Sequence, residues 1–341
     1  MKQRYLAEQV KNDLTKKMVF IGGPRQVGKT TLAKMLLERD GVYLNWDVSK
    51  HREIILKNEI PEAPMLVFDE IHKYRSWRPY LKGIFDLYGT AKKILVTGSA
   101  RLDYYRYGGD SLQGRYHFLR MFPLSVAELG ITGKAELKQL LQLSGFPEPF
   151  FSGSLNFSRR WSREYRTRII QEDIVSLENT TSLQKIELMM LRLPYLVGSP
   201  LSVNSLREDL NVSHKAASAW LEILERLYAI FRIPPFESNL LRAVKKEQKH
   251  YHYDWTLVKE DGARFENMIA LHLLKWVYWK QDTEGKDIEL RYFRDVDGRE
   301  VDFLITENQM PVLCVECKVK EDIPTKAMHY FLNKTHLFSF Q

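Results

Sequence analysis

The chain has 341 residues, 44% of them apolar and 28% charged, with 51 basic against 43 acidic side chains and a formal net charge of +8. That length can fill more than one core, which excludes disorder, collagen and small disulfide scaffolds, and the basic excess permits an anionic partner without naming one. Two cysteines make no disulfide framework, no uncharged stretch reaches the ~18 residues of a membrane helix, and the mixed-charge start lacks a secretory apolar region. A cytoplasmic protein without membrane contact is expected.

Tyr5, Leu6, Val10 and Leu14 fit one face of a helix over 4–14, and 18–21 reads as a short strand. Gly23-Pro24-Arg25-Gln26-Val27-Gly28-Lys29-Thr30 follows at once and satisfies G-x-x-x-x-G-K-[ST] ahead of a helical run over 31–39. Consecutive backbone N–H groups can wrap a phosphate chain only where glycines permit the approach, which is the role of Gly23 and Gly28. In that setting Lys29 faces the β- and γ-phosphates, Thr30 ligates Mg²⁺ and Thr31 adds an α-phosphate contact, with the helix N-terminus aimed at the anion.

Residues 42–47 read as the next strand, with Asp47 at its end in a functional or capping role. The apolar run 65–68 ends in Asp69-Glu70, about forty residues beyond the loop lysine, where Asp69 suits the Mg²⁺ shell and Glu70 suits a base orienting water. Residues 93–97 form a further strand, after which Thr97 or Ser99 can sense the γ-phosphate. Strands alternating with helices predict a doubly wound, mostly parallel α/β sheet.

These residues resemble a group of prokaryotic AAA-type ATPases whose members carry a C-terminal domain of unknown function. The resemblance rests on 22–31, on Val67-Phe68-Asp69-Glu70-Ile71-His72-Lys73 with Trp77, and on Leu95-Val96-Thr97-Gly98-Ser99. It continues through Ser111-Leu112-Gln113-Gly114-Arg115, Phe122-Pro123-Leu124-Ser125 and Ser144-Gly145-Phe146-Pro147-Glu148, and so covers nearly the whole chain. It implies ATP and Mg²⁺ as cofactors and makes Arg115 a finger or charge-sensing arginine, with Arg101 and Arg106 as rivals. Tyr104, Tyr105 and Tyr107 beside them suit either base stacking or a subunit interface.

The middle of the chain shows helical patterning over 135–143 and 159–177, where Arg160, Arg163, Arg166 and Arg168 alternate with Glu164, Glu172 and Asp173 as a salt-bridged solvent face. A helix over 205–210, a turn at Asn211-Val212 and a helix capped by Ser213 give a helix-turn-helix shape. Arms at 229–233 and 249–253 would complete a winged helix. His214, Lys215 and Arg226 lie on its second helix, while Arg242, Lys245, Lys246 and Lys249 on the wing suit phosphate. A protein-contact or spacer module is the alternative. His250, His252 and Asp254 alternate on one face, as a metal site or as an exposed strand surface.

An apolar helix opening at Ala263-Arg264-Phe265-Glu266 precedes strands at 289–294, 301–305 and 312–318, with a hairpin turn at Asp297-Gly298. Asp302, fourteen residues before Glu316-x-Lys318, fits the D-x(n)-E-x-K pattern of restriction-endonuclease-like folds, where carboxylates ligate Mg²⁺ and lysine stabilises phosphate charge. Strand parity puts Glu316 and Lys318 on one face, and Glu266 can supply a further acid. The same parity separates Cys314 from Cys317, which then read as small core residues, and a strand beginning at His336 runs to the end.

The expected architecture is an AAA-type P-loop core (1–125), a helical lid or connector (126–195), a winged-helix-like domain (196–258) and a small α+β endonuclease-like domain (259–341). The leading expectation is MgATP hydrolysis that drives or switches the C-terminal module. An ATP-gated nuclease and a DNA-binding switch with little turnover are the alternatives. DNA or protein is the expected client, and self-assembly follows if the finger acts between subunits.

Overall fold

A computed structural model describes residues 4–98, 102, 112–174, 180–236, 247–319, 323 and 325–335. Two units divide the chain, Met1–Ile131 and Thr132–Gln341.

In the first unit, apolar runs become β1 (Met18–Gly22), β2 (Val42–Asn45), β3 (Met65–Asp69) and β4 (Lys93–Thr97), and a more polar segment becomes β5 (Tyr116–Arg120). All pair in parallel, in the order β2-β3-β4-β1-β5. Every residue of β1 and β3 is buried, as a parallel sheet covered on both faces requires. Parallel neighbours need crossovers, which α2 (Lys29–Leu36), α3 (Ser49–Lys57) and α4 (Trp77–Tyr88) supply, while α1 (Ala7–Asp13) precedes β1 and α5 (Val126–Leu129) follows β5. Phe20, Phe68, Leu81, Ile84 and Val96 form part of the core, each large apolar side chain contributing about 1.5–3 kcal/mol by leaving water.

The insertion of β4 between β1 and β3 decides what meets at the carboxyl edge. Asn45 pairs with Asp69, Asp69 with Thr97, and Thr97 with Ile21, the residue before Gly22. Three expectations shift here. Strand β5 was not read from the sequence, because Tyr116, His117 and Arg120 give it a polar edge-strand character. Strand β2 ends at Asn45 and leaves Asp47 exposed, bound to Lys73 at 2.6 Å. Helix α2 stops at Leu36, short of Arg39.

The second unit begins with α6 (Lys134–Leu143), α7 (Pro147–Ser152) and α8 (Leu155–Arg168). The helix expected over 159–177 changes at Ile169–Ile174 into a π-helical turn, and Leu177 lies outside the described residues. Its outer face carries the expected charge pairs, with Glu164 taking Arg160 at 2.8 Å and Arg168 at 3.9 Å. After α9 (Thr180–Arg192) come α10 (Val203–Asp209) and α11 (His214–Arg226), the latter capped by the Ser213 hydroxyl, which accepts from the Ala216 N–H. An antiparallel ribbon of β6 (Ile230–Ile233) and β7 (Lys249–His252) follows, and Arg242, Lys245 and Lys246 lie outside the described residues.

Helix α12 (Asp261–Glu284) leads to an antiparallel sheet of β8 (Ile288–Arg294), β9 (Glu300–Glu307) and β10 (Met310–Val315), ordered β10-β9-β8, and then to α13 (Lys326–Thr335). Strand β10 ends at Val315, so Glu316 and Lys318 are not strand residues and the parity argument for them does not apply. His336 onward lies outside the described residues.

Candidate functional site

At the carboxyl edge of the parallel sheet the chain leaves β1 through Gly23 at φ 131° and enters α2 through Gly28 at φ 96°, backbone angles that side chains disfavour. Between them Pro24 and Val27 are buried and Arg25 and Gln26 half-buried. Lys29 is 7% exposed, and its ammonium donates to the carbonyls of Gly23 at 3.0 Å and Pro24 at 2.5 Å. Burial pulls its pKa down to about 8, against the opposing pull of Glu70 and Asp69. A buried cation held only by neutral carbonyls is suited to an arriving anion. Thr31, by contrast, is exposed.

Asp69, 3% exposed, collects hydrogen bonds from two strands and one helix. Its Oδ2 accepts from Thr30 Oγ1 at 2.9 Å, Tyr43 Oη at 2.5 Å and Asn45 Nδ2 at 3.4 Å, while Oδ1 accepts from Thr97 Oγ1 at 2.6 Å. Thr97 is fully buried and gives its hydroxyl hydrogen to Asp69, so the phosphate-sensing role expected of it is replaced by support of that carboxylate. Ser99, its rival, lies outside the described residues, as do Arg101, Tyr104, Tyr105, Arg106 and Tyr107.

Glu70 turns the chain out of the sheet at φ 58°, and its N–H donates to the Thr97 carbonyl at 2.9 Å. Its carboxylate lies 3.5 Å from Lys73 and 3.6 Å from His72 Nε2. Desolvation raises its pKa above the ordinary value, with Lys73 and Lys29 opposing. Tyr43 and Asn45 were missed from the sequence. The available signal was their i, i+2 spacing, which puts two polar groups on one face of a strand ending beside Asp69. Arg4 was missed as well. Its buried guanidinium donates to the carbonyls of Val27 and Phe122 and pairs with Glu128 at 2.7 Å, tying the phosphate loop to the chain after β5.

Arg115 is misplaced for action within its own chain. It precedes β5, whose Tyr116 pairs with Met18 at the start of β1, so it stands at the amino edge of the sheet while the glycine loop leaves the carboxyl edge. Four residues of β1 separate the two ends, roughly 13 Å at ~3.3 Å per residue. Its guanidinium forms a two-point pair with Asp86, at 2.6 and 3.3 Å.

The residues singled out near the C-terminus converge on a different arrangement from the one expected. Lys249, read as a wing phosphate contact, is fully buried on β7, with its ammonium 2.5 Å from Glu300 and 3.5 Å from Glu266. Tyr251 Oη donates to Glu266 at 2.7 Å, and the Cys317 N–H donates to Asp302 at 2.7 Å. Desolvation raises the pKa of both Glu266 and Asp302; the Asp302 charge pushes Glu266 further up, and Glu316 and Glu300 do the same to Asp302. Glu316 accepts from the Thr325 N–H at 3.1 Å and meets Lys318 at 3.3 Å. Among the described residues no group of three or more His, Cys, Asp or Glu side chains is placed to hold a metal ion. Cys314 is a buried core residue, but Cys317 is half-buried beside these carboxylates, because the chain has already left the strand. His250 and His252 are also buried, at 0% and 3% exposure, so the exposed strand face expected for them and for Asp254 is absent.

The parallel sheet, the glycine loop opening α2 and the Thr30–Asp69 contact define a P-loop nucleotide-binding unit. Residues 15–130 match the family model described as an AAA domain. Residues 134–260 and 261–339 match two further models, each described as a domain of unknown function. Uncharacterized proteins of Mycobacterium bovis and Mycobacterium tuberculosis are each 22% identical over 320 residues, covering 86% of this chain and 71% of theirs. Among solved structures, a RuvB variant of Thermotoga maritima aligns at 16% identity and TM-score 0.34, over 67% of this chain and 89% of its own. The Aeropyrum pernix ORC1 protein in complex with DNA aligns at 13% and 0.36, over 80% and 94%. No helix among the described residues is long and apolar enough to cross a membrane.

Proposed function

We propose that the N-terminal unit binds MgATP along Gly23, Pro24, Arg25, Gln26, Val27, Gly28, Lys29, Thr30 and Thr31 and hydrolyses it, and that the hydrolysis cycle drives or switches the C-terminal unit. The observation that carries this reading is the meeting of Thr30 and Asp69 beside the buried Lys29 ammonium. One hydroxyl and one carboxylate suit Mg²⁺, which keeps waters and takes its remaining ligands from phosphates. When bound, the ion neutralises charge on the β- and γ-phosphate oxygens.

Lys29 supplies a fixed cation whose desolvation strengthens its pull on the phosphates. Thr30 and Asp69 hold the metal, and Glu70 orients the attacking water and accepts its proton. The raised pKa of Glu70 makes it a better proton acceptor than an exposed carboxylate. Arg115, at the far edge of the sheet, can serve as a finger only from a neighbouring copy, which ties that role to self-assembly.

The test is ATP hydrolysis by the full chain with Mg²⁺, beside Lys29→Ala and Glu70→Gln. Loss in both variants, with nucleotide binding retained in Glu70→Gln, is the expected result; nucleotide bound without turnover in the wild type sinks the hydrolytic reading. Adding double- and single-stranded DNA asks whether DNA is the client.

A second reading makes the C-terminal unit a nucleic-acid module gated by ATP. Its support is the α10–α11 pair followed by the β6–β7 ribbon, together with Glu266, Asp302, Glu316 and Lys318 lying in one region of the fold. Cleavage of plasmid DNA that is lost in Asp302→Ala and kept in Lys29→Ala favours it.

A further inference from the structure

Asp69 accepts hydrogen bonds from four side chains, and two of the donors, Tyr43 and Asn45, come from β2, a strand that carries none of the phosphate-loop residues. Tyr43 stands on β2, the edge strand, two residues before Asn45, and reaches across to Oδ2 at 2.5 Å. Asn45 Nδ2 in turn donates to the Tyr43 hydroxyl at 3.3 Å and to the same carboxylate oxygen at 3.4 Å. The ring is fixed from two sides, by the Lys34 ammonium 4.8 Å from its centroid and by the edge-to-face His51 ring at 6.5 Å.

Oδ2 therefore takes the Tyr43 phenol and the Thr30 hydroxyl together. A carboxylate oxygen has about two lone-pair directions, so these two short bonds fill it and the Asn45 amide adds a longer contact at 3.4 Å. Any metal-bound water seeking Oδ2 must compete with the phenol. Donors that share a carboxylate's negative charge also weaken what it offers a cation, because each already satisfies part of the same charge.

We propose that Tyr43 is a positioning residue for the metal: its hydroxyl fixes the Asp69 carboxylate and occupies Oδ2, which lowers the site's affinity for Mg²⁺ while holding the carboxylate square to Thr30. This rests on the nucleotide reading above. It assigns to β2 a part in metal binding that its sequence, which carries no charged residue before Asp47, does not announce.

The experiment compares wild type with Tyr43→Phe, which keeps the ring between Lys34 and His51 and removes only the hydroxyl. Three quantities are measured on the full chain: ADP affinity without divalent metal, Mn²⁺ affinity of the protein–ADP complex by electron paramagnetic resonance, and kcat with its half-saturating Mg²⁺. The expected pattern is unchanged metal-free ADP binding, Mn²⁺ binding tightened about three- to tenfold, as for removal of one competing hydrogen bond of ordinary net strength, and a lower kcat. Mn²⁺ binding that is unchanged or weakened in Tyr43→Phe overturns the proposal. Failure of the wild type to bind ADP at all removes the nucleotide reading instead, so the two failures are read on different proteins. Equal thermal unfolding of the two proteins excludes a folding defect, and Tyr43→Leu, which also removes the ring, must reproduce the tightening if the hydroxyl is responsible.

Discussion

Thr30 Oγ1 lies 2.9 Å from Asp69 Oδ2, so a helix and a strand separated by 39 positions are joined by one hydroxyl hydrogen. The carboxylate sets the direction of that hydrogen, and the hydroxyl oxygen keeps its lone pairs for the metal proposed above. Replacing Thr30 with Val keeps the shape and removes both functions. Mg²⁺-dependent hydrolysis is expected to fall about tenfold or more, a hydrogen bond to a charged group being worth ~1.5–3 kcal/mol. Metal-free ADP binding stays near wild type, and titrating both nucleotide and Mg²⁺ separates the two effects.

Arg115 and Asp86 form an exposed pair at the amino edge of the sheet. Arg115→Ala is expected to leave the melting temperature unchanged, since such surface pairs contribute little. At low protein concentration its turnover per chain equals wild type. A deficit that emerges only as concentration rises assigns the arginine to a neighbouring copy, and a deficit at every concentration refutes the placement argued above.

Acid acts on His250 and His252. Burial lowers their pKa values to about 4 and about 3, with neighbouring Arg232 opposing the charge on His250 and His250 opposing that on His252. Both therefore stay neutral in the fold through pH 5, while the unfolded chain binds protons below about 6.5. Stability is full above that value and is lost as pH falls through the window toward 4 and 3. At pH 5 one such histidine costs about 2 kcal/mol. His252→Gln is expected to flatten the dependence of denaturant midpoint on pH between 7 and 5; an unchanged slope counts against the assignment.

Lys249 has no exposed surface, and its pKa is nevertheless raised, because Glu266 and Glu300 outweigh the desolvation that lowers it. Lys249→Ala leaves the largely buried Glu266 without the ammonium beside it and Glu300 with Arg294 at 3.6 Å. A loss of about 3–5 kcal/mol is expected from urea unfolding of the full chain. Lys249→Met with Glu266→Gln is expected to recover part of it, as a neutral replacement of a buried ion pair does.

Neither cysteine is expected to react with a thiol reagent in native buffer at pH 8. Burial raises both thiols above their ordinary pKa, and Asp302 and Glu266 raise Cys317 further. Labelling of Cys317 before unfolding contradicts the acidic surroundings described for it.

The phosphate loop was legible because its chemistry is contiguous: a strand, two glycines, a lysine and a threonine sit within a dozen residues, and the geometry is local. Asp69 and Glu70 were legible for the same reason, as a carboxylate pair ending an apolar run. What surrounds them was not. The sequence places Arg115 near the end of the core but does not say which end of β5 it occupies, and register with Met18 settled that. Tyr43 looked like an ordinary strand aromatic until pairing brought β2 alongside β3. The strand 249–252 alternates basic and aromatic groups as an exposed ribbon would, yet both of its faces are covered and Lys249 finds Glu300 some fifty positions away. Glu316 and Lys318 were assigned to a strand that stops at Val315, just before the first of them.

The grip of Arg4 on the loop carbonyl of Val27 and on Glu128 also imposes an order on synthesis. A ribosome delivers the arginine first and its carboxylate partner 124 positions later. From the point at which the glycine loop is made until Glu128 follows, the loop lacks the strut that links it to the chain beyond β5. Nascent chains halted before Glu128 should thus hold a phosphate loop without its anchor, and the nucleotide pocket becomes firm only when the last helix of the N-terminal unit has left the exit tunnel.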